Sequence, residues 1–470
     1  MNLRLIKLII IIELISNNYT FSQVELKPED IYEQASKSVV VVLAYDFQNN
    51  LKSQGSGVVI DNKGYIATNY HVFAECKRLE IKHNNDIISD TDIIGADIEK
   101  DILIVKIKEN LFPAIKKANF QKIKVGQRIY AIGSPLGFEN SISEGIIGGL
   151  RNILELNRNY IQITTSISPG SSGGAVVNAQ GELIGISTMT YKEGQNINFA
   201  IPITDIDKVE LVKPNNKKYL EALSNFYKGY NSFLSNDYNN ALIHFEKCLS
   251  LKPFPNVYNN LGCIYDALND FDNAIINFNL AIQLDPKYAD AYYNLAHTYE
   301  NMGKYNEAIS YYEKTIQIEP TYASALYNIG YHYDLQKESA LAEIYYNKTL
   351  EIKNDHVKAI GGLAGICAQQ GNFRESIQLY EKAIKINPLI PELYYNVSTV
   401  YVFVKEFDNA IKSLKSVIEL KPNYIAAYLK ISGIYIKIGD YPSAINYTRI
   451  AARLGSKDAQ EILTQLNETW

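Results

Sequence analysis

The chain has 470 residues, of which 47% are hydrophobic and 21% are charged. This is the composition of an ordinary globular protein with enough apolar residues for sizeable cores, and the length suggests two or three domains. The 46 basic and 51 acidic residues leave a net charge of −5 without a basic block, which argues against nucleic acid as a partner. The four cysteines lack paired spacing and no Cys/His cluster has ligand spacing, so we expect no disulfide framework, no metal site and no other cofactor.

The first 22 residues have the outline of a secretory signal. Arg4 and Lys7 precede an apolar run that Glu13 interrupts, and small and polar residues follow it up to Ser22. The run is too short and too interrupted to read as a membrane span, and no cysteine follows it for lipid attachment. We therefore expect cleavage near Ser22 and a mature protein in the periplasm or outside the cell. An uncleaved anchor is the alternative.

Residues 38–203 consist of short β-branched runs separated by turn signals. The runs are 38–45, 57–61, 65–68, 101–107, 128–132, 160–165, 182–188 and 198–201. Many short strands without long helices between them predict an all-β barrel or sandwich, and this length is enough for two small barrels.

A Pro/Gly-rich turn at residues 168–174, with the sequence Ser-Pro-Gly-Ser-Ser-Gly-Gly, carries the candidate nucleophile. Its glycines let backbone N–H groups approach a ligand closely, as an oxyanion-binding loop requires. Taken alone, the run could also be a Gly/Ser-rich hairpin. However, His71 at the end of one predicted strand and Asp101 at the start of another supply the base and the acid that activate a serine hydroxyl.

The ordered set of motifs in residues 38–210 resembles the protease domain of the HtrA/DegP family of bacterial envelope proteases. The matching segments are 55–59, 68–72, 101–107, 131–137, 143–146, 168–174, 181–186 and 198–202. The resemblance implies a trypsin-like, chymotrypsin-fold double β-barrel within residues 23–210. It also implies endopeptidase activity on unfolded or misfolded protein, as in protein quality control.

The resemblance further implies a role for each site residue. Ser172 would attack the scissile carbonyl, His71 would carry the proton to the leaving amine, and Asp101 would orient His71. The backbone N–H groups of Gly170 and Ser172 would form the oxyanion hole. A strand after the nucleophile would pair with the substrate backbone, and its residues are Ile186, Ser187 and Thr188.

Two of these assignments have a close rival in the sequence. Asp97 lies near Asp101 but does not directly precede an apolar strand. Ser171 adjoins Ser172 but is not directly followed by the glycine pair. Without its partners, His71 would be read as a core or turn histidine.

The sequence departs from the family pattern around the substrate pocket. Ser171 stands where Asn or Asp is usual, and Asn198 stands where Gly is usual. No acidic residue occupies positions 166–169, where the resemblance places the pocket floor. We therefore expect a small or medium apolar residue, rather than a basic one, before the cleaved bond.

After a polar linker at residues 211–221, a repeating pattern replaces the strands. Small residues recur at spacings of 33 and then 34, at Ala241, Ala274, Ala308, Ala342, Ser376, Ala410 and Ala444. Small residues let two antiparallel helices approach, aromatic residues fill the gaps, and Pro after the second helix ends it. Residues 222–458 therefore resemble seven tetratricopeptide (TPR) repeats, with residues 459–470 as a capping helix.

Two features of the repeats bear on binding. The first repeat is the least regular, with Asn225 and Lys228 at usually apolar positions, which suggests an adapted end repeat. Asparagines recur at one position of the first helices, at Asn260, Asn294, Asn328 and Asn396. They match the generic repeat and identify no ligand.

The sequence thus predicts an all-β protease domain followed by an all-α TPR superhelix, in the place where HtrA-type chains usually carry PDZ domains. The function predicted is that of an exported serine endopeptidase that cleaves polypeptides, with a protein or peptide ligand in the TPR groove. A catalytically silent or resting protease domain in a TPR scaffold or chaperone is the competing interpretation, and a purely structural solenoid is the alternative for the repeats. A homo-oligomer is compatible with the resemblance, although no segment that would build one is identifiable.

Overall fold

A computed structural model describes residues 25–46, 48–109, 111–134, 141–153, 158–190, 198–213 and 216–469. The predicted signal lies outside these ranges. The chain divides into two compact units between Ile264 and Tyr265. None of the helices in the described ranges has the length and apolar character that crossing a membrane requires.

The first unit begins with helix α1 (Pro28–Ala35) and an open seven-stranded sheet in the order β5-β4-β1-β2-β3-β7-β6. Its strands are β1 (Val39–Tyr45), β2 (Leu51–Val59), β3 (Tyr65–Thr68), β4 (Arg78–His83), β5 (Asp86–Ile88), β6 (Asp92–Asp97) and β7 (Ile102–Lys106), and the short helix α2 (Tyr70–Phe73) follows β3. Where two barrels were expected, this sheet is a half-barrel. The edge strand β5 is only three residues long and has exposed residues at Asp86 and Ile87, so it offers little surface for closure.

A closed six-stranded barrel follows, in the order β10-β13-β12-β11-β8-β9. Its strands are β8 (Arg128–Gly133), β9 (Ser141–Ile153), β10 (Arg158–Ile163), β11 (Ala175–Asn178), β12 (Leu183–Thr190) and β13 (Asn198–Pro202), and helix α3 (Ile203–Ile206) ends the β region. The predicted all-β architecture is confirmed, as one barrel and one half-barrel.

The described side chains of β11, β12 and β13 are buried on both faces, which explains their continuous apolar runs, whereas β9 exposes Ile142, Ile146 and Leu150. Ile129 and Val176 belong to a core inside the barrel. Their neighbours Tyr130 and Val177 belong to a second core that also includes Val58 of the half-barrel. Because successive side chains of a strand point to opposite faces, the two sheets are joined by a core of their own.

Paired helices make up the rest of the described chain. They are α4 (Lys217–Leu234), α5 (Tyr238–Leu251), α6 (Pro255–Ala267), α7 (Phe271–Leu284), α8 (Ala289–Asn301), α9 (Tyr305–Ile318), α10 (Ala323–Leu335), α11 (Ser339–Ile352), α12 (Val357–Gln369), α13 (Phe373–Ile386), α14 (Pro391–Phe403), α15 (Phe407–Leu420), α16 (Ile425–Ile438), α17 (Tyr441–Arg453) and α18 (Lys457–Gln465). The predicted TPR array is confirmed. Helix α4 begins within the segment that the sequence suggested as a linker.

The small residues of the repeat occupy the positions that the pattern predicts. The alanine or serine at each of the seven positions is buried, and Ala342 is fully inaccessible. Tyr346, four residues later on the same helix, packs with Ala342 and with Leu363 of the next repeat. The aromatic side chain therefore fills the space that the small residue leaves, as the spacing predicts.

Two glycines inside first helices of their repeats provide a test of this packing. A Cβ atom at Gly362 would lie 2.5 Å from Cε2 of Tyr346, whereas one at Gly433 would meet no described atom within 4 Å. We expect Gly362→Ala to lower the free energy of unfolding by about 1–3 kcal/mol because the ring must shift. We expect Gly433→Ala to raise it by about 0.5–1 kcal/mol because the unfolded chain loses freedom. Urea unfolding of the full chain, followed by far-UV circular dichroism, measures both. A rise for both variants would contradict the packing argument.

Candidate active site

Antiparallel pairing of β3 with β7 brings His71 and Asp101 together. Thr68, the last residue of β3, lies opposite Leu103 at the start of β7. His71 follows Thr68 in helix α2, and Asp101 immediately precedes β7. Since the end of one strand faces the beginning of its antiparallel partner, both residues lie at the same edge of the sheet.

The carboxylate of Asp101 contacts His71 with both oxygens. The distance from Oδ2 to the Nδ1 atom of His71 is 2.8 Å, and Oδ1 accepts the backbone N–H of His71 at 2.9 Å. An ionised carboxylate can only accept, so Nδ1 carries the proton and Nε2 of the neutral ring is left as the acceptor. This is the tautomer that a general base requires.

The pKa of His71 reflects two opposing influences. Burial by itself lowers the pKa, but the hydrogen bond and the negative charge of Asp101 together raise it above its ordinary value. The side chain of His71 nevertheless keeps 43% of its surface exposed. The ring is therefore accessible to a substrate, as a general base must be.

Asp101 holds an unusual backbone conformation, with φ at 58°. This left-handed conformation costs a residue with a Cβ atom about 1–2 kcal/mol. The carbonyl oxygen of Asp101 accepts the backbone N–H of Tyr70 at 3.2 Å and the side-chain amide of Asn69 at 3.1 Å. Bonds to the segment before His71 thus help to hold the strained residue in place.

Thr188 of β12 links Asp101 to Ser172. Its buried hydroxyl donates to Oδ2 of Asp101 at 2.9 Å, and its carbonyl oxygen accepts the hydroxyl of Ser172 at 3.3 Å. Thr188 therefore connects Ser172 to the pair formed by His71 and Asp101. Within the part of the chain that the structure describes, no hydrogen bond joins Ser172 to His71.

Ser56 of β2 anchors the loop that carries Ser172. Its hydroxyl donates to the carbonyl oxygen of Gly170 at 2.8 Å and accepts the N–H of Ser134 at 2.9 Å. Its own N–H donates to the carbonyl oxygen of Ser172 at 2.7 Å. Sequence reasoning did not assign this role to Ser56. A serine between two glycines was the available signal, but its partners Ser134 and Gly170 lie 78 and 114 residues away in the chain.

Backbone hydrogen bonds shape the loop around the predicted oxyanion hole. The N–H of Ser171 donates to the carbonyl oxygen of Ser168 at 2.9 Å, and the N–H of Gly173 donates to that of Ser187 at 2.7 Å. Among the described residues, the N–H groups of Gly170 and Ser172 find no acceptor. These are the two donors that the resemblance implied for the oxyanion hole.

Gly173 is required by both conformation and space. Its φ is 84°, and a Cβ atom there would lie 2.2 Å from the carbonyl oxygen of Ser56. No other residue fits without moving β2. The glycine after the candidate nucleophile is therefore explained by close backbone approach rather than by flexibility.

The predicted substrate strand lies in β12, and most of its backbone is engaged in the barrel. Ile186 lies between Ala175 and Ile201 on the neighbouring strands. The N–H of Ser187 donates to the carbonyl oxygen of Gly174 at 2.9 Å. Thr188 is the member of the trio that contacts the catalytic candidates, and pairing with a substrate stays a prediction.

The two rival residues have other positions. Oδ1 of Asp97 accepts the backbone N–H of Lys100 at 3.0 Å, which closes the turn before β7. Ser171 lines a cavity of about 160 Å³ beside the loop. Neither residue has a described hydrogen bond to His71.

The cavity beside Ser171 is neutral over its described lining. Serines dominate it, at Ser141, Ser143, Ser166, Ser168, Ser171 and Ser187, with apolar surface from Ala131, Ile132, Gly133, Ile142 and Ile167. The segment that the resemblance implied as the pocket floor contributes three of these residues. Asn198, where the family usually has Gly, is buried and donates to the carbonyl oxygen of Thr165 at 2.7 Å.

Family models match both halves of the chain. The model of the trypsin-like peptidase domain matches residues 55–186. Models of the tetratricopeptide repeat match residues 262–303, 289–322, 323–356, 357–388 and 391–424. The chain thus carries a trypsin-like peptidase domain related to DegP/HtrA proteases, followed by TPR repeats.

Its relatives include two proteins described as probable periplasmic serine endoprotease DegP-like. The relative from Pseudomonas fulva is 33% identical over 177 residues, which cover 36% of this chain and 37% of the relative. The relative from Buchnera aphidicola subsp. Baizongia pistaciae is 39% identical over 171 residues, which cover 34% and 37%. The chain therefore spans little more than a third of the length of these relatives.

Two solved structures are also similar to the protease region. The serine endoprotease from Yersinia pestis is 32% identical with a TM-score of 0.36, and the match covers 40% of this chain and 66% of that one. An HtrA-type protease solved with a tripeptide is 30% identical with a TM-score of 0.36, and the match covers 43% and 64%.

The contact between Asp101 and His71 predicts a measurable change in pKa. Asp101→Asn removes the charge that raises the pKa of His71, so burial then lowers it below its ordinary value of about 6.5. Carbon-13 NMR titration of the histidine Cε1 signals in the full chain measures the change, with His71→Gln to assign the signal. Asp97→Asn is the matched control and should leave the pKa of His71 unchanged. Equal shifts in both variants would contradict the assignment of Asp101.

Proposed function

We propose that this chain is a serine endopeptidase that works through a Ser-His-Asp acyl-enzyme mechanism. The observation that supports the proposal best is the continuous set of hydrogen bonds from His71 through Asp101 and Thr188 to Ser172. It gathers a base, the acid that orients it and a hydroxyl at one edge of the half-barrel. The similarity to serine endoproteases of the DegP type agrees with this chemistry.

In the acylation step, the hydroxyl of Ser172 leaves the carbonyl oxygen of Thr188 and turns towards Nε2 of His71. His71 takes the proton while Oγ of Ser172 bonds to the scissile carbonyl carbon. The imidazolium that forms is stabilised by the carboxylate of Asp101.

The N–H groups of Gly170 and Ser172 would stabilise the oxyanion, an effect on the order of 3 kcal/mol for each donor. His71 then gives the proton to the leaving amine, and the peptide bond breaks. A water molecule, deprotonated by the same ring, attacks the acyl-enzyme and releases the second product. The anchoring of the loop by Ser56 would keep both donors in position throughout.

The neutral cavity beside Ser171 would bind the side chain before the cleaved bond. Its serine and isoleucine lining offers no charge to a basic or acidic side chain. The volume of about 160 Å³ suits a small or medium side chain. We therefore infer a preference for small or medium apolar residues at this position.

The TPR array would supply recognition of polypeptides. TPR repeats are typical of protein–protein binding, and a peptidase domain requires a polypeptide substrate. We infer that the array recruits substrates or docks the protease on a partner protein. The apolar run in residues 1–22 and the periplasmic relatives support export of the chain.

A resting protease domain is the second candidate function. The observation in its favour is that the hydroxyl of Ser172 donates to Thr188 rather than to His71. Catalytic hydrogen bonds are often long or misaligned before substrate binds, so the same geometry also fits an active enzyme. Labelling of the serine separates the two candidates.

An active-site fluorophosphonate tests the proposal directly. The reagent phosphonylates a serine only when its base is functional, so the full chain should be labelled and Ser172→Ala should not. Ser171→Ala is the matched control because it changes the adjacent hydroxyl, and it should retain labelling. Gel fluorescence and peptide mapping by mass spectrometry measure the outcome. Labelling that survives Ser172→Ala would overturn the assignment, and an unlabelled native chain would favour the resting domain.

A cavity in the second unit allows a test of substrate recruitment. It measures about 360 Å³ and is lined by Tyr394, Tyr401, Glu381 and Lys412, among others. The hydroxyl of Tyr401 donates to Glu381 at 2.9 Å, which fixes one wall. Aromatic and charged side chains around a cavity suit a peptide chain.

We expect Tyr394→Ala to lower kcat/KM for an unfolded protein substrate by about fivefold, the loss typical of an aromatic contact residue. Cleavage of a short peptide, which has no further chain to occupy this cavity, should stay the same. Tyr441→Ala removes an exposed tyrosine of the same unit and serves as the control. Equal loss on both substrates would contradict recruitment through this cavity.

A further inference from the structure

The first helix of the repeat region lies in the same compact unit as the protease region. Tyr219, Leu223 and Tyr227 are spaced four residues apart on α4, so they share one side of the helix. Tyr219 and Leu223 are almost completely buried. This side of α4 contacts the β region at two points near the candidate active site.

The first point is the end of β6, which leads to Asp101. The hydroxyl of Tyr219 accepts the backbone N–H of Ala96 at 3.1 Å. The ammonium group of Lys252 lies 4.8 Å from the ring centre of Tyr219 and 3.8 Å from Oε2 of Glu210. Tyr219 on α4 therefore contacts both the end of β6 and Lys252, the residue that follows α5.

The second point is the ring of Tyr70, the residue before His71. It lies 5.3 Å from the ring centre of Tyr227, at an interplanar angle of 46°. Tyr70 is only 2% exposed, and its backbone N–H is the group that donates to the carbonyl oxygen of Asp101. The contact between the two tyrosines thus supports Tyr70, whose backbone links the helix of His71 to Asp101.

Helix α6 adds a third contact, to the turn that ends at Asp101. The side-chain amide of Asn260 donates to Oε1 of Glu99 at 2.7 Å. On the other side of the same turn, Lys100 forms an ion pair with Asp205 at 3.3 Å. The turn is therefore held by the helical repeat and by the β region together.

We propose that the first helical hairpin, α4 and α5, together with the start of α6, positions His71 and Asp101 for catalysis. The inference rests on the proposed function of this pair. Asp101 occupies a left-handed conformation that is strained for a residue with a Cβ atom, and contacts around it help to hold it there. Tyr227 and Asn260 supply two of these contacts from outside the β region and act as positioning residues.

The first repeat also differs from the others in what it packs against. A repeat inside an array packs between two helical neighbours, whereas this one packs a side of α4 against a β-sheet edge. Tyr219 and Tyr227 supply the contacts to this edge.

The test compares Tyr227→Ala with two matched variants in the full chain. Tyr227→Phe keeps the ring against Tyr70. Phe233→Ala removes an aromatic ring from the same helix that contacts Tyr230 and Tyr238 of the hairpin itself. The readouts are the pKa of His71 by carbon-13 NMR and the rate of fluorophosphonate labelling of Ser172.

We expect Tyr227→Ala to lower the pKa of His71 by about half a unit and to slow labelling about threefold. Without the support of Tyr227, the imidazole ring of His71 moves away from the carboxylate of Asp101. Tyr227→Phe and Phe233→Ala should match the native chain in both readouts. A purely structural role would give the same loss for Phe233→Ala as for Tyr227→Ala. That result, or an unchanged pKa in Tyr227→Ala, would overturn the proposal.

Asn260→Ala is the second variant, and it tests the positioning of His71 if Tyr227→Ala does not fold. It removes the bond to Glu99 without creating a large cavity, and it should lower the pKa of His71 in the same direction. Unchanged NMR signals of the other histidines confirm that the fold is intact. If the native chain is not labelled, the proposed function fails, while the NMR titration still decides whether the hairpin positions His71.

Discussion

The site depends on one antiparallel register, that of β3 with β7. With Thr68 opposite Leu103, the chain must bring His71 against Asp101. A shift of the register by one residue would turn every side chain of β3 to the other face and would separate the pair. Both faces of β3 and β7 are buried, from Ile66 to Thr68 and from Ile102 to Val105, so this shift would exchange side chains between two close-packed environments. The hydrophobic core therefore sets the geometry of a polar site.

The closed barrel brings the third group to the same edge. Along β8, β11 and β12, one set of side chains fills the barrel and the other packs on the half-barrel. Thr188 lies on β12 where the two sheets face each other, and it bonds to Asp101 on one side and to Ser172 on the other. Ser56 of β2 attaches the loop of Ser172 to the half-barrel through its bond to Gly170. A serine, a threonine and close-packed glycines thus connect two separately formed sheets into one site.

The helical hairpin that follows the β region belongs to the same compact unit. Its tyrosines satisfy a backbone N–H at the end of β6 and cover the ring of Tyr70, so the hairpin supports a segment that has an unfavourable backbone conformation at Asp101. The first TPR repeat therefore packs on the peptidase domain. This repeat would contribute to the stability of the catalytic pair, and the following repeats would remain available for polypeptides.

The sequence by itself determined the all-β first region, the helix pairs with their 34-residue period, and the order of His71, Asp101 and Ser172. These follow from local periodicity and from short motifs, which depend on neighbouring residues. Only the tertiary structure decided that the first sheet is a half-barrel, that Ser56 anchors the loop of Ser172, and that Asn260 contacts Glu99. These contacts join residues far apart in the chain, and their partners are set by how whole elements pack. A repeat pattern could not show this, because Asn260 looks the same as the other asparagines of its position until its neighbour is known.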